Sequence, residues 1–222
     1  MTRPAEPQGS VPTTRGRTIH WATWYDLGTT WLSFGRDRAI RAIALELARL
    51  RPGDAVLDVG CGPGNLAIAA ATRVGPTGLV HGIDAAPEMI ELARRKAARA
   101  RVNVDFQIGL IESLPFADGR FDVVLSTFVL HHLPEDLKRA GFREIRRVLK
   151  PGGRFVALDF ASEPKVHALI QRLLALFCGR DHLHHGVDML PAMMKEAGFV
   201  DAETGATRYR RIGFVRGTAS GN

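Results

Sequence analysis

The sequence predicts an α/β protein: a parallel sheet with helices on both faces. Three observations carry that expectation. Short apolar runs such as residues 55–59 recur between longer stretches with apolar residues at helical spacing. The first run empties into a glycine-rich turn, Asp58-Val-Gly-Cys-Gly-Pro-Gly-Asn-Leu66, and the second, residues 79–84, closes on an acid.

The chain of 222 residues suits one domain with a sizeable core. Its 45% hydrophobic and 24% charged content is that of an ordinary soluble protein, and no apolar run reaches the length of a membrane span. Residues 1–17, rich in Pro, Thr, Gly and Arg, read as a disordered tail without a signal-peptide core, so a cytoplasmic location is expected. Residues 19–34 gather Trp21, Trp24, Tyr25, Trp31 and Phe34. Two readings stay open there: a pocket wall for an apolar ligand, or a helix packing its apolar face on the domain.

A helix follows over residues 38–50, stopped by Pro52-Gly53, and leads into the first strand. After the glycine turn come a helix over 66–73, a Gly-Pro-Thr-Gly loop and the strand 79–84. Pro87 opens the next helix with Glu88 in its first turn, and Met89 lies on that helix's apolar side. Residues 104–109 alternate as a third strand, and 121–130 form a fourth that runs into His131-His132-Leu133-Pro134. A helix over 137–149, a Lys-Pro-Gly-Gly turn and a fifth strand from Arg154 to Phe160 come next. Residues 164–178 read as an apolar helix, 189–194 as a helix ending at Gly198, and 199–204 and 209–215 as two last strands.

The chemistry concentrates at the first turn. Gly60, Gly62 and Gly64 permit positive φ and let a ligand lie against the backbone, while a dinucleotide fingerprint wants the third glycine one residue later. That spacing points away from NAD. Asp84, at the carboxyl end of the neighbouring strand, falls beside the turn, where its carboxylate can accept both hydroxyls of a ribose.

The net charge of +7 is spread over two helices, at Arg94, Arg95, Lys96, Arg99 and Arg101 and at Arg143, Arg146, Arg147 and Lys150. The pattern reads as solvated helix faces, so no nucleic-acid partner is expected; peripheral attraction to an anionic membrane remains a second reading. Cys61 and Cys178 suggest neither a disulfide framework nor a zinc cluster. His182, His184 and His185 lack a carboxylate-rich partner motif, and no metal is expected.

Asp58, the alternating glycines and Asp84 resemble the cofactor site of the class I S-adenosylmethionine-dependent methyltransferases. Glu112-Ser-Leu-Pro-Phe-Ala-Asp-Gly-Arg-Phe-Asp122 and Leu149-Lys-Pro-Gly-Gly153 are similar to further signatures of that group. Tyr25-Asp26 followed by Ser33-Phe-Gly-Arg-Asp-Arg38 is similar to the segment preceding the cofactor domain in menaquinone and ubiquinone C-methyltransferases, whose pattern some bacterial phospholipid N-methyltransferases share.

The resemblance implies a Rossmann-like, doubly wound, seven-stranded, mostly parallel sheet with one antiparallel strand in its final pair. It implies one domain over 18–216, with a helical cap at 18–50, a cofactor-binding core at 51–216 and a C-terminal tail at 217–222. The cofactor implied is S-adenosyl-L-methionine, giving S-adenosyl-L-homocysteine. Tyr25 would lie over its methionine portion, with Asp58, Gly60, Gly62, Gly64 and Ser126 around it. Asp84, Ala85, Met89, Leu110 and Ile111 would bracket the adenosine. Family members often carry Asp or Asn just after Gly109, where this chain has Leu110 and Ile111, so adenine recognition would fall to backbone groups, Glu112 or apolar sandwiching.

The expected acceptor is a small, apolar or aromatic molecule of quinone-precursor type, with Trp21, Trp24, Trp31 and Phe34 as its pocket. Phospholipid or small-amine N-methylation is the alternative, and a non-catalytic cofactor-binding protein the alternative of another class. RNA lacks an appended binding module or a base-amine motif, and metalloid methylation lacks thiols. His131 and His132 are candidates for a general base, or one ring may only brace the loop.

Overall fold

In the computed structural model the residues described are 37–161 and 187–221. The expectations for Trp21, Trp24, Tyr25, Trp31 and Phe34, for the helix over 164–178 and for His182, His184 and His185 lie outside them.

Seven strands form one sheet: β1 Ala55–Val59, β2 Leu79–Asp84, β3 Asp105–Ile108, β4 Phe121–Thr127, β5 Leu149–Phe160, β6 Phe199–Ala206 and β7 Ile212–Ala219. Their spatial order is β3-β2-β1-β4-β5-β7-β6. The first five run parallel, with Val56 of β1 beside Val80 on one side and Val123 on the other. β7 is the one antiparallel strand, paired with both β5 and β6. The architecture is the mostly parallel, doubly wound sheet expected.

Alternation along the central strands explains why both faces are covered. Val56, Val123, Leu125, Val156 and Leu158 face the layer that holds α1 Asp37–Ala48, α2 Asn65–Val74 and α3 Pro87–Ala100. Leu57, Val59, Val124, Phe155 and Ala157 face the other, with α4 Glu135–Val148 and α5 Leu190–Glu196. Each fully buried Phe or Leu here contributes about 1.5–3 kcal/mol. The helices start and stop where local chemistry directs. Pro87 occupies the first turn of α3, and α4 has Glu135 and Asp136 in its first turn and Arg146 and Arg147 in its last, complementing the helix dipole. None of the described helices is long and apolar enough to cross a membrane.

Three expectations need correction. The Lys-Pro-Gly-Gly segment is not a turn ahead of β5 but a bulge inside it: Leu149 already pairs with Phe121, and pairing resumes at Arg154 with Val123. Residues 217–219 are not tail, because β7 continues to Ala219, which pairs with Phe199. Nor are all the helical arginines solvated. Arg94 donates to the Phe106 carbonyl, and Arg146 to the Gly198 and Ser220 carbonyls. Arg147 donates to the carbonyls of Leu114 and Phe116. A guanidinium with five donors can reach several backbone carbonyls in loops and at the sheet edge at once.

Candidate functional site

The order β3-β2-β1-β4-β5 reverses direction between β1 and β4, and ligand crevices in open α/β sheets lie outside the carboxyl ends of the strands at such a point. The glycine turn, Asp84 and the turn after β4 all meet there.

The glycines divide by task. A Cβ on Gly60 would lie 2.3 Å from a Val129 methyl, and one on Gly64 would lie 2.7 Å from Phe106 and 2.8 Å from Ala93. Those two positions are fixed by close packing. Gly62, at φ 50°, would place a Cβ with nothing described within 4 Å, so the tip of the turn opens onto free space. Asp84 holds that tip: its Oδ2 accepts the Gly62 N–H and its Oδ1 the Ala86 N–H, each at 2.9 Å. A carboxylate oxygen has a second lone pair, so both remain able to accept a hydroxyl. Burial raises the Asp84 pKa, outweighing the N–H groups of Ala86, Gly62 and Ala85 that lower it.

Asp58 is the unusual group. It is 1% exposed near the end of β1, and neither carboxylate oxygen has a hydrogen-bond partner among the described residues. Burial pushes its pKa up to about 7; the nearby Ala67 N–H lowers it, and the charge of Asp84 raises it. Buried polar groups without partners are rare because each costs about 1–3 kcal/mol. A ligand offering an ammonium or N–H group would complete it. Two orphaned oxygens, an open glycine tip and two remaining lone pairs on Asp84 fit a ligand that joins a cationic amine to a ribose.

The turn after β4 closes the other side. Val129 lies against Gly60, and Leu130–His132 form a single 3₁₀ turn. Asp159, 2% exposed at the end of β5, accepts the backbone N–H of His131 at 3.1 Å, and its Oδ1 lies 2.7 Å from His131 Nδ1. The His131 ring lies against a tilted His132 ring at 3.8 Å between centroids and makes a T-shaped contact with Phe160 at 4.8 Å. Phe160, 46% exposed, and Phe128, held at φ 57°, form a second aromatic pair at 5.4 Å. Lys138 of α4 is 6% exposed; burial lowers its pKa, opposed by the charges of Asp159 and Glu135.

Of the other sequence-predicted residues, Ala85 is half-buried between Asp84 and Ala86, and Met89 is buried on α3. Leu110 is half-buried just after Gly109, whose N–H donates to the Asp84 carbonyl. Two side chains are otherwise engaged. Ile111 is taken up by the core, against Gly141 of α4, because β3 ends and the chain dives under that helix. The Ser126 hydroxyl donates to the Val59 carbonyl at 2.9 Å and ties β4 to β1. Sequence reasoning missed Asp159, Lys138, Phe128 and Phe160. A lone acid ending an apolar strand was the available signal for the first. Among the described residues no group of three or more His, Cys, Asp or Glu could hold a metal ion.

Comparison with known proteins gives a consistent set of matches. Residues 56–153 match a family model described as a methyltransferase domain. The demethylmenaquinone methyltransferase of Thermus thermophilus is 36% identical over 210 residues, covering 86% of this chain and 91% of that protein. The ubiquinone/menaquinone biosynthesis C-methyltransferase of Geotalea daltonii is 36% identical over 140 residues, 62% of this chain; the chain spans 59% of that relative's length. Among solved structures, phosphoethanolamine N-methyltransferase 2 of Haemonchus contortus, in complex with phosphomonomethylethanolamine and S-adenosylhomocysteine, superposes with a TM-score of 0.72. At 17% identity, covering 88% of this chain and 57% of that one, it shares the fold alone.

Proposed function

Because the chain belongs to the S-adenosylmethionine-dependent methyltransferase family, we propose that it transfers a methyl group to a small, flat aromatic acceptor of the quinone-precursor type. The observation that carries the cofactor half is the buried, unpartnered Asp58 beside the open Gly62 tip and Asp84. Asp58 would accept the methionine ammonium, Asp84 the ribose hydroxyls, and Gly62 would allow the nucleoside to lie on the backbone. Ala85, Met89 and Leu110 would flank the adenine, and Tyr25 would cover the methionine portion. Bound there, S-adenosylmethionine supplies a methyl group on a cationic sulfur that leaves as a neutral thioether.

The protein's own contribution is positioning and exclusion of water. Phe128 and Phe160, paired beside the turn after β4, would supply aromatic contact for a flat acceptor, and Trp21, Trp24, Trp31 and Phe34 are the further wall this reading requires. His131 would take the proton from a ring hydroxyl, which makes the ring carbon nucleophilic. An acceptor with an apolar tail would be met at a membrane surface, with the charge of +7 favouring anionic lipid.

The test is turnover of S-adenosylmethionine with separate demethylated quinol, phosphoethanolamine, phospholipid and RNA acceptors. Methylation of the quinol at carbon supports the reading. Methylation confined to an amine would replace it with the N-methyltransferase alternative, and calorimetric binding without turnover would leave a cofactor-binding protein.

A further inference from the structure

We propose that Asp159 is a positioning residue: it holds His131 in the tautomer that carries its proton on Nδ1 and keeps the Nε2 lone pair as the proton acceptor. The inference deepens the methyl-transfer reading above and rests on it for its consequence, though not for its geometry.

The hydrogen-bond arithmetic at Asp159 leads to this tautomer. Oδ2 accepts the His131 backbone N–H at 3.1 Å, and Oδ1 accepts the Phe160 backbone N–H at 2.7 Å. Both carboxylate oxygens thus already act as acceptors, and Lys138 of α4 is buried nearby. With Oδ1 and Oδ2 both accepting, a contact of 2.7 Å to His131 Nδ1 places the hydrogen on that nitrogen. A neutral imidazole has one N–H, which leaves Nε2 bare. The near-perpendicular Phe160 ring, 4.8 Å away between centroids, and the tilted His132 ring at 3.8 Å restrict rotation of the imidazole.

The register of the sheet aims this pair at the site. β4 and β5 are parallel neighbours, Thr127 pairing with Leu158, so Asp159 is the next residue past the last pair. His131 lies in the same turn as Val129, whose side chain touches Gly60 of the glycine turn. The step assigned to His131 is proton transfer alone. The O–H bond of an acceptor hydroxyl breaks, an N–H bond forms at Nε2, and the electron pair stays on the acceptor oxygen. The imidazolium, paired with Asp159, later returns its proton to water.

Long-range nitrogen–proton NMR on the ¹⁵N-labelled full chain reads the tautomer without acceptor or turnover. The expected wild-type spectrum has His131 Nδ1 at a protonated and Nε2 at an unprotonated nitrogen shift. Asp159→Asn should shift the population toward the opposite tautomer. In parallel, Asp159→Asn should lower kcat roughly 100-fold, the scale of general-base catalysis, with S-adenosylhomocysteine affinity unchanged within about twofold, and should cost nothing further in a His131→Gln background. A wild-type ring protonated on Nε2 overturns the proposal even if the variant fails to fold. So does an Asp159→Asn loss that persists undiminished in His131→Gln. Absence of S-adenosylhomocysteine binding by the wild type would instead sink the methyl-transfer reading, with the tautomer still measurable.

Discussion

The two ends of this sheet treat their carboxylates in opposite ways. At the amino ends of the parallel strands three carboxylates are matched to cations. Asp54 pairs with Arg154 at 3.0 Å, Asp122 with Lys150 at 2.8 Å and with the Ala55 N–H, and Glu144 with Arg147 at 2.8 Å. Burial pulls the Asp122 pKa up, but the Lys150 hydrogen bond, the Ala55 N–H and the charges of Lys150 and Arg154 hold it below the usual value. The Arg147 hydrogen bond chiefly does the same for Glu144. At the carboxyl ends, burial leaves Asp58 and Asp84 with raised values, and neither Asp58 oxygen has a hydrogen-bond partner among the described residues. One end is built to be finished on folding, the other to be finished by a ligand.

Substitutions can break or sharpen that contrast, and the largest effect is expected at Asp84. Asp84→Ala removes the acceptor for the Gly62 and Ala86 N–H groups together with the ribose site. Hydrogen bonds to charged groups contribute about 1.5–3 kcal/mol each, so S-adenosylhomocysteine affinity should fall at least about 100-fold by calorimetry.

Next comes a pair of glycine substitutions. Gly64→Ala drives a methyl group into Phe106 and Ala93 and should lower stability by about 2–3 kcal/mol in urea unfolding. Gly62→Ala meets no atom of the described residues and should cost only the positive-φ strain of about 1 kcal/mol, while weakening the ligand. Equal stability losses for the two would erase the distinction between packing and binding glycines.

Asp58 should show a trade between stability and binding. Its folded pKa of about 7 stands above the unfolded 3.8, so the folded chain binds more protons between those values. Unliganded stability from this group therefore falls as pH rises from about 4 to about 7 and is flat above. Asp58→Asn should raise unliganded stability by about 1–3 kcal/mol at pH 8 and weaken S-adenosylhomocysteine. Asp122 carries the opposite sign: its lowered folded pKa gives stability that is present above the unfolded value and lost as acid protonates it.

The smallest effect is expected for Lys150→Met. That ion pair is part-exposed on both sides, so water and salt screen it, and the loss should be at most about 1 kcal/mol with ligand binding untouched.

Much of this contrast could be read in the chain and some could not. β1, β2 and β4 announce themselves as apolar runs, and the glycine turn with Asp84 marks one side of the site, because strand period and turn chemistry are local properties. The role of Asp159 is not local. It lies 28 residues from His131, and only the adjacency of β4 and β5 brings the two together. The isolation of Asp58 is a negative fact about three dimensions, invisible in the motif itself. Arg146 and Arg147 look like solvent-facing helix charges until the loops whose carbonyls they hold are folded beneath them. The bulge at Lys150–Gly153 escaped because Pro and Gly signal a break in pairing without saying whether the strand resumes the same register.

The most direct measurement is titration calorimetry with S-adenosylhomocysteine at about pH 6, in two buffers of different ionisation enthalpy. An ammonium placed against Asp58 ionises it, so wild type should bind at one site and release most of one proton, and Asp58→Asn should bind more weakly with that release largely gone. No binding heat, or an undiminished proton release from Asp58→Asn, would contradict the account.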